Sequence, residues 1–257
     1  MNGAVVVVTG GTRGVGAGIA GAFLRAGAQV IVCARRPPSE PVGTARYLPV
    51  DVRKPALIQA LLDRVAAEYG RLDVLVNNAG GTPHHPLDAE PWHRHARILE
   101  LNLTAPLMAS LAAHRLMRAQ PGGGSILMIG SVSGSRPSPG TAAYGAAKAG
   151  LEHLARSMAV EWAPLVRVNT LILGMVHTES AQTHYGDREG VAAVARTVPA
   201  GRLAEPEEVG EAAVFLASER AAYITGAALL LHGGGERPAF LAAANAQHPT
   251  PDGRLPN

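Results

Sequence analysis

The stretch Val5-Val6-Val7-Val8-Thr9-Gly10-Gly11-Thr12-Arg13-Gly14-Val15-Gly16 decides how the rest of the chain must fold. Its β-branched run reads as a short strand, after which Ile19, Ala20, Phe23 and Leu24 recur with helical spacing. A strand, a glycine-rich turn and a helix form the setting a dinucleotide site requires. Glycines let the backbone approach a pyrophosphate, and the helix presents free N–H groups and its positive dipole end. A turn that binds nothing could use the same glycines, but the flanking strand and helix weigh against that reading.

Working outward, a second strand over 29–34 ends in Ala34-Arg35-Arg36. Sites that hold a ribose 2′-hydroxyl place Asp or Glu at such a strand end, whereas arginine suits a 2′-phosphate. Arg35 here, with Arg13 in the turn, points to NADP rather than NAD. A third strand over 47–50 is closed by Asp51-Val52, and a helix follows over 55–69. Asp51 has two readings, as acceptor for an adenine edge or as cap of that helix. A fourth strand over 72–76 runs into Asn77-Asn78-Ala79-Gly80-Gly81, where asparagine amides can tie neighbouring strands and Gly80 permits close approach of a ligand. A helical region expected over 88–119 carries Asn102, polar within an apolar stretch, which by spacing alone could equally be an exposed position.

The apolar run 125–130 reads as a fifth strand with Ser131 at its carboxyl end, where open α/β sheets place their ligands. Thirteen residues later stands Tyr144-Gly145-Ala146-Ala147-Lys148. Tyr and Lys four apart on a helix share a face. A nearby ammonium favours the phenolate and lowers a phenol's ordinary pKa of about 10, which suits proton transfer near neutral pH. The pair alone usually marks nothing more than a helix surface, and it gains meaning only from its surroundings. The helix runs to Trp162 before Pro164, and a sixth strand covers 166–173. Residues as far as 201 read as irregular, with a helix near 191–196, and Gly186 to Arg196 reads as a substrate lid. Acidic residues open a helix over 205–217, a last strand covers 227–231, and the chain from 236 to 257 reads as an appended tail after a domain of 1–235.

Composition excludes several function classes. The 257 residues are 47% hydrophobic and 17% charged, with a formal net charge of +3 and no basic runs, so there is no electrostatic footprint for nucleic acid or an anionic membrane. A single cysteine, Cys33, cannot form an internal disulfide, and no apolar run is long enough to span a bilayer. The chain is read as cytoplasmic. His84, His85, His93 and His95 invite a metal reading, but no Cys or carboxylate completes a ligand set, and no metal is expected.

Taken in order, Thr9-Gly10-x-x-x-Gly14-x-Gly16, Asn77-Asn78-Ala79-Gly80, Asn102, Ser131 and Tyr144-x-x-x-Lys148 resemble the short-chain dehydrogenase/reductase family over roughly residues 4–235. The resemblance implies a single Rossmann-type α/β domain, a doubly wound sheet of about seven mostly parallel strands with helices on both faces, assembled as a homotetramer or homodimer. It implies Tyr144 as acid/base, Lys148 lowering its pKa and holding the nicotinamide ribose, Ser131 positioning the substrate oxygen, and Asn102 supporting a proton-relaying water. Around the cofactor it places Gly10, Thr12, Arg13, Gly14, Val15 and Gly16 at the turn, and Arg35, Asp51 and Val52 at the adenosine end. Asn78, Ala79 and Gly80 follow, with Gly174, Val176 and Thr178 beside the nicotinamide. The chain departs from the family at Leu173-Gly174, where Pro-Gly is usual, so the nicotinamide loop is expected to be less rigid. The expected activity is an NADP-dependent carbonyl reductase or alcohol dehydrogenase on a small molecule. The segments 201–209 and 223–226 are similar to those of 3-oxoacyl reductases, but no basic entrance supports an acyl-carrier substrate. An NAD-dependent alcohol dehydrogenase of the same family and a non-catalytic cofactor sensor are the alternatives, although such sensors commonly lose the tyrosine or lysine present here.

Overall fold

The valine run that opens the chain is buried on both of its faces. In β1 (Val5–Thr9), Val5 and Val7 enter one apolar core while Val6 and Val8 enter another. Successive side chains of a strand point to opposite faces, so an uninterrupted apolar run requires a cover on each side. The computed structural model, which describes residues 1–244, supplies both covers.

In chain order β1 is followed by α1 (Gly14–Arg25), β2 (Gln29–Ala34), β3 (Arg46–Pro49), α2 (Pro55–Tyr69) and β4 (Val74–Asn77). Next come α3 (Trp92–Leu99), a π-helical turn (Glu100–Thr104), α4 (Ala105–Met117), β5 (Gly124–Ser131), α5 (Ala142–Trp162) and β6 (Val166–Leu173). The described chain closes with α6 (Ala181–Tyr185), α7 (Arg188–Thr197), α8 (Pro206–Ala217), β7 (Ala228–Leu231) and α9 (Ala239–Ala243). The strands form one sheet of seven in the order β3-β2-β1-β4-β5-β6-β7, and every pairing is parallel.

Helices α1 and α8 cover one face through Ile19, Phe23, Val209 and Leu216, and α2, α4 and α5 cover the other through Ile58, Leu62, Met117 and Leu151. The apolar positions of α2, Ile58, Leu61, Leu62 and Val65, recur at helical spacing and are all buried. At the far end of α8 the Arg167 guanidinium donates to the carbonyls of Leu216, Ala217 and Ser218, satisfying groups that a helix C-terminus leaves free. Strand order reverses direction between β1 and β4, and the crevice beyond the carboxyl ends of the strands at such a switch point is where doubly wound sheets bind ligands.

Several boundaries differ from the sequence expectation. The helical region expected over 88–119 begins only at Trp92, after Pro91, and is interrupted by the π-helical turn. The helix near 191–196 is longer, Arg188–Thr197, because Asp187 caps it by accepting from the Gly190 N–H at 3.0 Å, and α6 precedes it in a segment read as irregular. The fourth strand extends through Asn77 rather than stopping at Val76. The tail expected from residue 236 begins tied to the body, with Glu236 paired to Arg136 at 2.8 Å and the Arg237 N–H donating to the Thr197 carbonyl. Its residues 245–257 lie outside the described residues.

Candidate active site

The switch point opens a cavity of about 480 Å³ lined by the ends of β1, β2, β4, β5 and β6. Its floor is built from local necessity. A Cβ on Gly16 would lie 2.2 Å from the Gly10 carbonyl oxygen, so only glycine lets α1 begin so close to the turn. Thr9 and Asn78 then join the ends of β1 and β4. The Thr9 hydroxyl accepts from the N–H groups of Asn78 and Ala79, each at 3.0 Å, and Asn78 Nδ2 donates to the carbonyls of Thr9 and Gly10. The expected strand-tying role of the asparagines is thus carried by Asn78. Asn77 Nδ2 instead donates to Ser110 Oγ at 2.9 Å beneath the sheet.

Asn102 is fully buried within the π-helical turn, which removes the reading as an exposed position. Turns of this kind frequently mark functional sites. Its Oδ1 accepts from the Gly81 N–H at 2.9 Å, while Nδ2 donates to the carbonyls of Gly81 and Ile98. The amide therefore clamps both backbone groups of Gly81, a task the sequence reading did not assign to it. Gly80 lies directly against it, since a Cβ there would stand 2.6 Å from Asn102 Oδ1 and 3.5 Å from Lys148 Nζ. A side chain at position 80 would wedge these two groups apart.

Ser131 ends β5 in register with Leu173, and α5 carries Tyr144 and Lys148 beside it. Lys148 is buried, and its Nζ donates to the Ile129 carbonyl at 2.7 Å and stands 5.4 Å from the Tyr144 ring centroid. Burial pushes the ammonium down to about 8, so it remains largely protonated at neutral pH. For Tyr144 the shift runs opposite to the expectation. Burial raises the phenol above its ordinary value, a hydrogen bond with Ser131 opposes that rise, and Lys148 is not among the causes. Desolvation is the largest cause, and the neighbouring Tyr185 adds a smaller upward push.

At the adenosine end, Asp51 does not cap α2, whose N-cap is Lys54. Its carboxylate accepts from the N–H, Nε and Nη2 of Arg53, the last at 2.6 Å. Hydrogen bonding to Arg53 chiefly, with a smaller attraction to Arg35, holds the Asp51 carboxyl down at about 2. Oδ2, with one hydrogen bond, keeps capacity to accept from a base. Val52 is buried beside it, and Arg13 and Arg35 stand exposed along the same cavity wall.

The segment after β6 forms the opposite wall. Leu173 pairs with Ser131 on one side and Leu231 on the other, so the strand continues where the family has proline. The loop expected to loosen is pinned just beyond, where Val176 bridges Ala204 and the His177 N–H donates to the Ala204 carbonyl at 2.8 Å. Gly174, Val176 and Thr178 line the cavity, with Gly10, Thr12, Gly14, Val15 and Ala79. Sequence reasoning missed Glu179, whose Oε1 accepts from the Gly14 N–H at 3.2 Å, as well as Arg53 and His184 on the cavity wall. Only the position of Glu179 directly after Thr178 could have signalled it.

The residues fit a dinucleotide cofactor. The Gly14 N–H already holds an anion in the form of a carboxylate, and the buried Lys148 ammonium has donors beyond the one given to Ile129. No group of three or more His, Cys, Asp or Glu suited to a metal ion occurs among the described residues, nor does a helix there reach the length and apolarity needed to cross a membrane.

The chain is similar to known proteins over most of its length. The sequence model of the family described as enoyl-(acyl carrier protein) reductase matches residues 10–236. The chain is 38% identical to the 3-oxoacyl-(acyl-carrier-protein) reductase of Escherichia coli, covering 91% of this chain and 98% of that protein. It is 37% identical to the cis-4-hydroxycyclohexanecarboxylate dehydrogenase of Sinomonas cyclohexanicum, over 90% and 95% of the two chains. A crystal structure from Mycobacterium marinum, described as a short-chain type dehydrogenase/reductase, superposes with a TM-score of 0.84 at 32% identity, covering 92% and 97%.

Proposed function

Because the chain belongs to the short-chain dehydrogenase/reductase family and is an NAD(P)-dependent enzyme acting on CH–OH groups, we propose that it uses NADP(H) to interconvert a small carbonyl compound and its secondary alcohol, with Tyr144 as acid/base. The observation that carries this reading is the meeting of Ser131, Tyr144 and Lys148 in the lining of one cavity, with the Lys148 ammonium 5.4 Å from the Tyr144 ring centroid. The nicotinamide, when bound, supplies the hydride. Negative charge then develops on the substrate oxygen, where the Ser131 hydroxyl can donate and the Tyr144 phenol can deliver a proton. Lys148 Nζ, anchored by Ile129, has donors left for the ribose hydroxyls and supplies positive charge near the phenol. Asn102 holds Gly81 and, through it, the wall on which the nicotinamide would rest. A cofactor sensor without turnover would need the cavity but not this trio.

Arg13 and Arg35 support NADP(H) over NAD(H), both exposed at the adenosine end with no acidic residue at the close of β2. The named relatives act on a 3-oxoacyl thioester and a hydroxycyclohexanecarboxylate, so the panel that tests the proposal spans 3-oxoacyl thioesters, cyclic and linear ketones, and aldehydes. Purified protein should consume NADPH with at least one of these. No consumption across the panel, in either reaction direction, would sink the proposal. The cytoplasm is the setting proposed for this activity, which suits the lone thiol of Cys33, buried and pushed up to about 12.

The same reading makes the chain a homotetramer or homodimer. Strand β7 is an open sheet edge with Leu230 53% exposed, and Val160 on α5 is 82% exposed. Ala142, Ala146 and Ala149 present small exposed side chains on α5, whereas Ala147 between them is buried. Covering such apolar surface is a usual reason for association. Light scattering at micromolar concentration should return a multiple of the 26.5 kDa chain mass, and a monomer mass would contradict assembly.

A further inference from the structure

The first N–H groups of a helix have no partner within it, and the helix dipole makes that end attractive to anions. In α1 the Gly14 N–H is not free, because Glu179 Oε1 accepts from it at 3.2 Å across 165 residues of sequence. The carboxylate arrives from a segment whose base is fixed. Met175 and His177 hydrogen-bond Ala204 on both sides of Val176, and the Ser180 N–H donates to Thr178 Oγ1 at 3.3 Å. Thr178 also packs there, its Cβ 3.6 Å from the position a Cβ on Gly14 would take.

We infer that Glu179 is an internal competitor of the cofactor: its carboxylate occupies the seat the pyrophosphate needs, so a dinucleotide binds by displacing it. The inference rests on the dinucleotide reading of the cavity. Two anions cannot share the Gly14 N–H, and a carboxylate left beside the pyrophosphate repels it. Glu179 is exposed, so water and salt screen that repulsion and the effect is moderate. A like charge about 4 Å away in bulk-like solvent corresponds to a change of about fivefold in Kd.

The measurement is a Kd, taken by calorimetry or protein fluorescence, for NADPH and for adenosine 2′-monophosphate, which lacks the pyrophosphate. Glu179→Gln keeps the side-chain length and an acceptor for Gly14 but removes the charge. It should bind NADPH about fivefold more tightly than the unmutated protein, with the gain shrinking as salt is raised, and should bind adenosine 2′-monophosphate unchanged. Glu179→Ala should tighten NADPH similarly, while Glu179→Asp, which keeps the charge, should stay close to the unmutated value. Equal or weaker NADPH binding by both neutral variants would overturn the inference, as would an equal gain for adenosine 2′-monophosphate, which would mark a general change in the cavity. Failure of the unmutated protein to bind NADPH or NADH at all would instead remove the dinucleotide reading, and the inference with it.

Discussion

Tyr144→Phe should keep the fold and the affinity for NADPH while lowering kcat by about 10²–10⁴, the range associated with a positioned acid/base. The substitution removes one oxygen from a ring already packed on α5 beside Ser131. Loss of one hydroxyl should change stability by only about 1 kcal/mol. Cofactor affinity should hold because the ribose contacts fall to Lys148, whose anchor on Ile129 does not involve the phenol. Turnover should not hold, because the developing alkoxide would keep the Ser131 hydroxyl but lose its proton donor. The decisive pair of measurements is single-turnover hydride transfer and NADPH binding on the same sample. Near-normal transfer would remove Tyr144 from the mechanism, and a parallel loss of binding would show that the residue acts through the cofactor instead.

Ala34→Asp combined with Arg35→Ala should reverse the coenzyme preference. In the unmutated protein kcat/KM should favour NADPH over NADH by roughly ten- to hundredfold, as expected if charge-assisted hydrogen bonds to the 2′-phosphate contribute about 1.5–3 kcal/mol. Ala34 is the last residue of β2, its carbonyl accepting from the Tyr47 hydroxyl at 3.1 Å, so a carboxylate placed there would stand on a fixed backbone at the strand end. There it can accept from a free 2′-hydroxyl and repel a phosphate. Arg53 should not rescue NADPH binding, because Asp51 already holds it at three donors. Arg13 remains in the double variant, so reversal rather than complete loss of NADPH use is expected. A kcat/KM with NADH equal to or better than that with NADPH in the unmutated protein would show that both arginines are solvated surface charges.

The sequence alone determined what depends on periodicity and on local backbone demands. The unbroken valine run of β1 required cover on both faces, the helical recurrence after Gly16 placed α1, and Ser131, Tyr144 and Lys148 fell at a strand end and on one helix face. These signals are short-range, and burial of apolar side chains leaves them few arrangements. What only the tertiary structure decided are the polar pairings between segments distant in sequence. Thr9 meets Ala79 across 70 residues, Asn102 closes on Gly81 across 21, and Glu179 reaches Gly14 across 165. The upward shift of Tyr144 belongs with them, since it follows from the desolvation that the packed fold imposes on the phenol. A polar side chain has several rotamers and many possible partners, and its choice follows from where the packed sheet and helices bring each loop, which residue spacing does not encode.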